Sequence, residues 1–143
     1  MAENLALVER YYELFNRGDL DEAMQLFDPD LVTIDPASGE MRGVAAFRAY
    51  GETFRRAMPD ARLNLVRAAE SSNLVAIEGS FTGTHSGPLA SPQGDIPPTG
   101  RHIDLPYTDV FDVRAGRIVS HHVYYDQMAL LGMLGLLPQP AAV

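Results

Sequence analysis

The residues with the clearest chemical potential sit at the end of one strand-like stretch, Arg117-Ile-Val-Ser-His-His-Val-Tyr-Tyr-Asp126. Alternate residues of a strand share a face, so Ile118, Ser120, His122, Tyr124 and Asp126 are expected to point one way. If that face lines an apolar cavity, Asp126 is desolvated there. Desolvation disfavours the carboxylate, raises its pKa and makes it a usable base near neutral pH. Asp126 is therefore the first candidate base. A second role needs no catalysis: Asp126 also stands where it would cap a closing helix beginning at Gln127.

Other polar residues carry paired readings. His85, in Gly83-Thr-His-Ser-Gly87, either does acid–base work at a strand end or is a hydrogen-bonded structural residue. Arg101 either steers an anionic group or pins a loop through a carboxylate such as Asp95. His121 and His122 are adjacent, so on a strand their rings face opposite ways. With no H-E-x-x-H and no cysteine spacing, no metal site is expected.

Composition narrows the chemistry. The 143 residues include no cysteine, so there is no thiolate nucleophile and no disulfide framework. All 11 basic residues are arginines, so no lysine can form a Schiff base. Neither a G-x-S-x-G elbow nor a G-x-x-x-x-G-K loop occurs, which disfavours serine hydrolases and P-loop phosphate binders. A formal charge of −8 without a basic run argues against nucleic acid. No stretch approaches the ~18 apolar residues of a membrane span, and the first ten residues do not read as a signal peptide. The expectation is one cytoplasmic domain with no cofactor.

These side chains need elements to hold them. Leu5, Val8, Tyr12 and Phe15, with Leu7, Tyr11 and Leu14 beside them, predict a helix over 3–16. Asp19 and Glu22 read as a capping box for a second helix through Phe27. A brief strand at 31–34, a turn at 35–39 and a helix at 43–58 follow. Strands are expected at 61–70, 73–85, 101–113 and 116–126, with a hairpin at 114–116. Residues 86–100 read as a loop, 127–136 as a short helix, and 138–143 as a frayed tail. Helices first and strands afterwards predict an α+β domain, three helices on a curved, mostly antiparallel sheet.

Four strings carry a family resemblance: Phe81-Thr-Gly-Thr-His-Ser-Gly-Pro-Leu89, Ile96-Pro-Pro-Thr-Gly-Arg101, Tyr124-Tyr-Asp-Gln127 and Leu130-Leu-Gly-Met-Leu-Gly-Leu136. Their order and spacing resemble the SnoaL-like polyketide and ester cyclases of the NTF2-like superfamily. The first half, from Glu9 to Gly39, is generic to that superfamily. The resemblance implies a cone-shaped fold, a homodimer, and an aspartate at the place of Asp126 that takes a proton from an acidic carbon. The chain departs from those cyclases by carrying Tyr124 where they can have a histidine.

The same superfamily's ketosteroid isomerases imply a rival set. Tyr11, Asp35 and Asp109 sit where those enzymes carry an oxyanion-hole tyrosine, a general base and a protonated aspartic acid. The local strings are Arg10-Tyr-Tyr12, Ile34-Asp-Pro36 and Tyr107-Thr-Asp-Val-Phe111. Each has a plainer alternative: Asp35-Pro36 opens turns, Tyr11 belongs to a core stripe, and Asp109 can pair with an arginine. A third relation, to epoxide hydrolases, would need Arg101 between Asp104 and Asp126, but Arg101 and Asp104 fall on opposite strand faces.

The expected function is cofactor-independent acid–base chemistry on a small, mostly apolar carbonyl compound. Asp126 would be the base, His85 and Tyr124 the enolate holders, and Asp35 a second pocket carboxylate. Phe81, Arg101, Tyr107, His122, Tyr12 and Phe15 would line the pocket. The alternatives are isomerase-like enolisation through Tyr11, Asp35 and Asp109, or a dimeric small-molecule-binding protein without catalysis.

Overall fold

A computed structural model describes residues 3–137, so the expected tail at 138–143 lies outside the described residues. The elements in chain order are α1 (Glu3–Arg17), α2 (Leu20–Met24), β1 (Phe27–Asp35), β2 (Gly39–Arg42) and α3 (Val44–Ala57). Then come β3 (Arg62–Ser71), β4 (Leu74–Thr84), β5 (His102–Arg114), β6 (Arg117–Tyr125) and α4 (Gln127–Met133). The six strands form one sheet in the order β2-β1-β6-β5-β4-β3. Only β1 and β6 run parallel. The α+β architecture is the one the order of periodicities implied. Among the described residues no helix is long and apolar enough to cross a membrane.

The apolar stripe of α1 puts Val8, Tyr11, Tyr12, Leu14 and Phe15 against the sheet. Burying each large side chain is worth about 1.5–3 kcal/mol, enough to hold a helix too short to persist alone. From β5, Ile103, Leu105, Tyr107, Asp109, Phe111 and Val113 all face inward, while their neighbours face out. The core lies between this inner face and helices α1 and α3.

Local predictions failed where side chains found other partners. The Asp19 carboxylate bonds Arg17 rather than capping α2, and that helix ends at Met24 instead of reaching Phe27. The freed segment joins β1, which starts four residues before the expected Leu31 and pairs with β6 through Phe27 and Ile118. The expected β5–β6 hairpin is present. Ala115 and Gly116 have φ of 50° and 74° between the paired Arg114 and Arg117, the backbone of a tight two-residue turn.

Two bulges shape the sheet. On β3, Val66 is the extra residue between Leu65, paired with Gly79, and Arg67, paired with Glu78. On β6, Ile118 pairs with Val113 and Ser120 with Asp112, which leaves Val119 over. A bulge bends its strand and breaks the alternation of faces. After Val119 the inward residues of β6 are His121, Val123 and Tyr125.

Candidate functional site

A cavity opens between the inner sheet face and helices α1–α3. Its walls are almost wholly apolar, formed by Phe15, Met24, Phe47, Phe54, Met58 and Phe81 among others. The space open to the centres of water molecules is about 90 Å³. That exceeds severalfold the ~10–15 Å³ that one water needs, so the cavity is on the scale of a small organic molecule. Polar groups enter only at a few points: Tyr11, Tyr50, Tyr107, Asp109, His121 and Tyr125, with Arg48 at the side.

The centre of this polar group is Asp109. Its Oδ1 lies 2.7 Å from His121 Nε2, and its Oδ2 accepts a 2.5 Å bond from the Tyr12 hydroxyl. The Tyr107 hydroxyl donates in turn to Tyr12 at 3.0 Å. Asp109 and His121 are only 4% exposed each, so water screens the pair little. His121 stacks on Phe111, ring centroids 4.8 Å apart at 15°, and meets the Phe47 ring at 5.3 Å. These rings fix the plane of the imidazole. Its other nitrogen, Nδ1, is buried and makes no hydrogen bond among the described residues, and the same is true of Thr33 Oγ1 on the register neighbour in β1.

The tyrosines stay protonated by design of their surroundings. Burial, then the charge of Asp109, raises the pKa of Tyr11, Tyr12 and Tyr107. Burial and then Asp35 do the same for Tyr50 and Tyr125. Tyr11 lines the cavity, and among the described residues its hydroxyl makes no hydrogen bond.

Room for Tyr107 depends on its strand partner. Gly79 pairs with Tyr107 in register, and a Cβ on Gly79 would come within 2.8 Å of both the Tyr107 hydroxyl and the Asn64 carbonyl oxygen. Any larger residue there would push the phenol out of the Tyr107–Tyr12–Asp109 chain.

Several expected site residues fall elsewhere. Asp126 is exposed and caps α4, accepting from the Ala129 backbone N–H at 3.1 Å. The expectation of a desolvated base is corrected: the Val119 bulge turns the even-numbered positions of β6 to the outer face. The same shift puts Tyr124, 55% exposed, and His122 outside, where their side chains meet at 3.4 Å. His85 is fully buried but is not part of the cavity wall; Thr99 N–H donates to its Nδ1 at 3.2 Å. Burial lowers its pKa. Arg101 is exposed and lies over Gly135.

The isomerase-like set is only partly assembled. Tyr11 and Asp109 both reach the cavity, but Asp35 does not line it. Both Asp35 oxygens are taken, Oδ1 by the Tyr50 hydroxyl at 2.7 Å and Oδ2 by the Ala37 and Ser38 N–H groups at 2.8 Å. Asp109 accepts the Tyr12 hydroxyl proton and lies beside His121 Nε2. Of the expected pocket residues, Phe15, Phe81 and Tyr107 line the cavity, and Tyr12 stands one layer behind them. Sequence reasoning missed His121, Tyr50 and Tyr125. The odd-numbered parity after Val119 would have found two of them, but a bulge leaves no reliable local signature.

Comparison with known proteins agrees with this architecture. The SnoaL-like domain family matches residues 8–121. A SnoaL-like candidate polyketide cyclase from Jannaschia sp. CCS1 superposes with a TM-score of 0.84 over 96% of this chain and 94% of its own, at 18% identity, which speaks for the fold alone. AclR, a candidate hydroxylase from Streptomyces galilaeus, is 27% identical with a TM-score of 0.83, covering 97% of this chain and 89% of its own. IdmH, a candidate polyketide cyclase from Streptomyces antibioticus, is 28% identical with a TM-score of 0.79, covering 92% and 98%. No curated protein matches the sequence.

Proposed function

The chain belongs to the SnoaL-like domain family, and we propose that it performs cofactor-independent acid–base chemistry on a small, mostly apolar carbonyl compound of polyketide type. The observation that carries this reading is the buried Asp109–His121 pair, 2.7 Å apart, in the wall of an apolar cavity.

With Nε2–H donating to Asp109, His121 keeps Nδ1 free of protein partners, so the pair can take up one further proton. Asp109 then faces an imidazolium and compensates its charge, the role an aspartate plays behind any histidine base. The carbonyl oxygen of the substrate would sit at Tyr11, whose hydroxyl makes no hydrogen bond among the described residues. A donor there matters because negative charge develops on that oxygen as the α-proton leaves. The apolar walls exclude water and so strengthen both interactions. Asp126 has no part in this version of the mechanism.

The test is α-proton exchange. A panel of cyclic ketones and β-diketones would be incubated with the protein in D2O, and loss of the α-C–H signals followed by NMR. The wild type should accelerate exchange of at least one member, and Asp109→Asn and His121→Asn should each lower that rate by about 10²–10⁴-fold, the usual worth of a positioned acid–base group. Binding without exchange would instead favour a pocket used for capture alone, a reading that draws on the shielding of His121 Nδ1. Exchange that survives both substitutions would remove the pair from the mechanism.

A further inference from the structure

Among the described residues three buried side-chain polar atoms lack a hydrogen-bond partner: Thr33 Oγ1, His121 Nδ1 and His85 Nε2. Such orphans are rare in folded proteins, so each asks for a reason. Two of the three are neighbours. Thr33 and His121 pair in register across the parallel β1–β6 ladder, and both are buried, 0% and 4% exposed. Adjacent strands run about 4.8 Å apart, and register partners share a face, so hydroxyl and imidazole stand side by side. Their row across the sheet reads Met41, Thr33, His121, Phe111 and Val75, whose other members carry no side-chain nitrogen or oxygen. In the next row Asp35 is held by Tyr50 and by the Ala37 and Ser38 N–H groups, and Asp109 by Tyr12 and His121 Nε2. Thr33 is thus the uncommitted polar side chain beside Nδ1.

On a neutral ring with Nε2–H turned to Asp109, Nδ1 is a bare acceptor; once the ring takes a proton, Nδ1–H is a donor that needs an acceptor. Building on the reading of His121 as the base, we infer that Thr33 is its positioning residue, with Oγ1 receiving the Nδ1–H of the imidazolium formed as the α-proton leaves the substrate. Both ring protons then have acceptors, Asp109 at Nε2 and Thr33 at Nδ1. Hydrogen bonds from a charged donor are roughly twice as strong as neutral ones, so the contact acts where charge develops rather than in the resting state. Threonine, histidine and aspartate are also the residue types of a nucleophilic triad. Thr33, however, is wholly buried and does not line the cavity, so its hydroxyl cannot attack a bound molecule.

Two substitutions separate the hydroxyl from the packing. Thr33→Val keeps the branched shape and removes the hydroxyl, whereas Thr33→Ser keeps the hydroxyl and drops a methyl group. In NMR spectra of protein acidified until the ring is protonated, the Nδ1–H proton of His121 is assigned by its loss in His121→Asn. It should lie downfield in the wild type and in Thr33→Ser, as hydrogen-bonded protons do, and move upfield in Thr33→Val. Ketone α-proton exchange should fall about ten-fold in Thr33→Val, the worth of one hydrogen bond, and recover in Thr33→Ser. A signal unmoved by Thr33→Val overturns the inference whatever the exchange rate does. Equal displacement in both variants assigns the shift to packing and overturns it too, as does exchange that is unchanged in Thr33→Val. If the wild type exchanges no ketone, the acid–base reading falls, while the Nδ1–H signal still decides the contact on its own.

Discussion

His121 meets Asp109 because β6 carries one extra residue at Val119. Without it the register running from the hairpin would set Ser120 opposite Phe111 and His122 opposite Asp109, with His121 turned to the outer face. Asp109 pairs in register with Val123, so His121 approaches it diagonally, on the same face and one step along the strand. The bulge is in this sense part of the site.

Asp109 should also be a centre of stability. Asp109→Ala leaves His121 and Tyr12 buried without their shared acceptor, and removal of one partner from a buried pair typically costs about 3–5 kcal/mol. Asp109→Asn keeps an acceptor and the shape, and should cost about 1–3 kcal/mol. Urea denaturation of the two variants and the wild type would rank them. Equal stability of all three would mean that the pair bears no structural load.

Two glycines should respond to alanine in opposite ways. Gly79→Ala forces a Cβ to within 2.8 Å of the Asn64 carbonyl and the Tyr107 ring. Overpacking of this kind costs about 1–3 kcal/mol, and the Tyr107 ring signals should shift in NMR spectra. Gly51, inside α3, has only the Phe15 ring within 4.0 Å of an added Cβ. Gly51→Ala should therefore stabilise by about 0.5–1 kcal/mol through helix propensity, while narrowing the cavity it borders. Thermal unfolding of the two variants checks the signs.

Asp126→Ala should behave as the loss of a helix cap. Among the described residues the exposed carboxylate bonds only the Ala129 N–H in α4, so the expected cost is about 0.5–2 kcal/mol. Asp126→Asn or Asp126→Ser should recover most of it. Carbonyl α-proton exchange should be unchanged in all three variants. A hundred-fold loss of exchange in Asp126→Asn, at full stability, would restore Asp126 as the base.

His85 should make stability depend on pH. Burial lowers its pKa from the ordinary 6.5, so the unfolded chain binds the proton more readily than the native one. Between the native pKa and 6.5 the unfolded state holds more protons, and stability rises with pH. The contribution is complete above 6.5 and is lost as pH falls toward the native value. His85→Asn presents an acceptor in the place of Nδ1 for the Thr99 N–H but cannot titrate. Relative to His85→Asn, the wild type should lose stability on going from pH 7.5 to pH 5. Parallel urea midpoints for the two proteins over that range would exclude the effect.

Much of the fold was legible because its causes are local. The apolar stripe of α1 follows from a 3.6-residue period within one turn-to-turn neighbourhood. The Arg114-Ala-Gly116 turn and the strands on either side of it read directly from composition and alternation. The inward face of β5, with Tyr107 and Asp109, needed only a period of two, since that strand runs unbroken through those positions. The family strings between Phe81 and Leu136 pointed to the architecture for the same reason: they are contiguous in the chain.

The site itself was decided between strands. Tyr12 and Asp109 are 97 residues apart and His121 and Asp109 are 12 apart, and nothing in either neighbourhood states that they touch. Counting by two from Ile118 to Asp126 is sound within a regular strand, yet one unpaired residue reverses the outcome for every position after it. Whether Val119 is accommodated as a bulge depends on how β6 registers against β5 on one side and β1 on the other. Composition and periodicity thus determined which elements form. The pairing of those elements, a property of no single segment, decided that Asp109 and His121 face the cavity while Asp126 caps a helix in water.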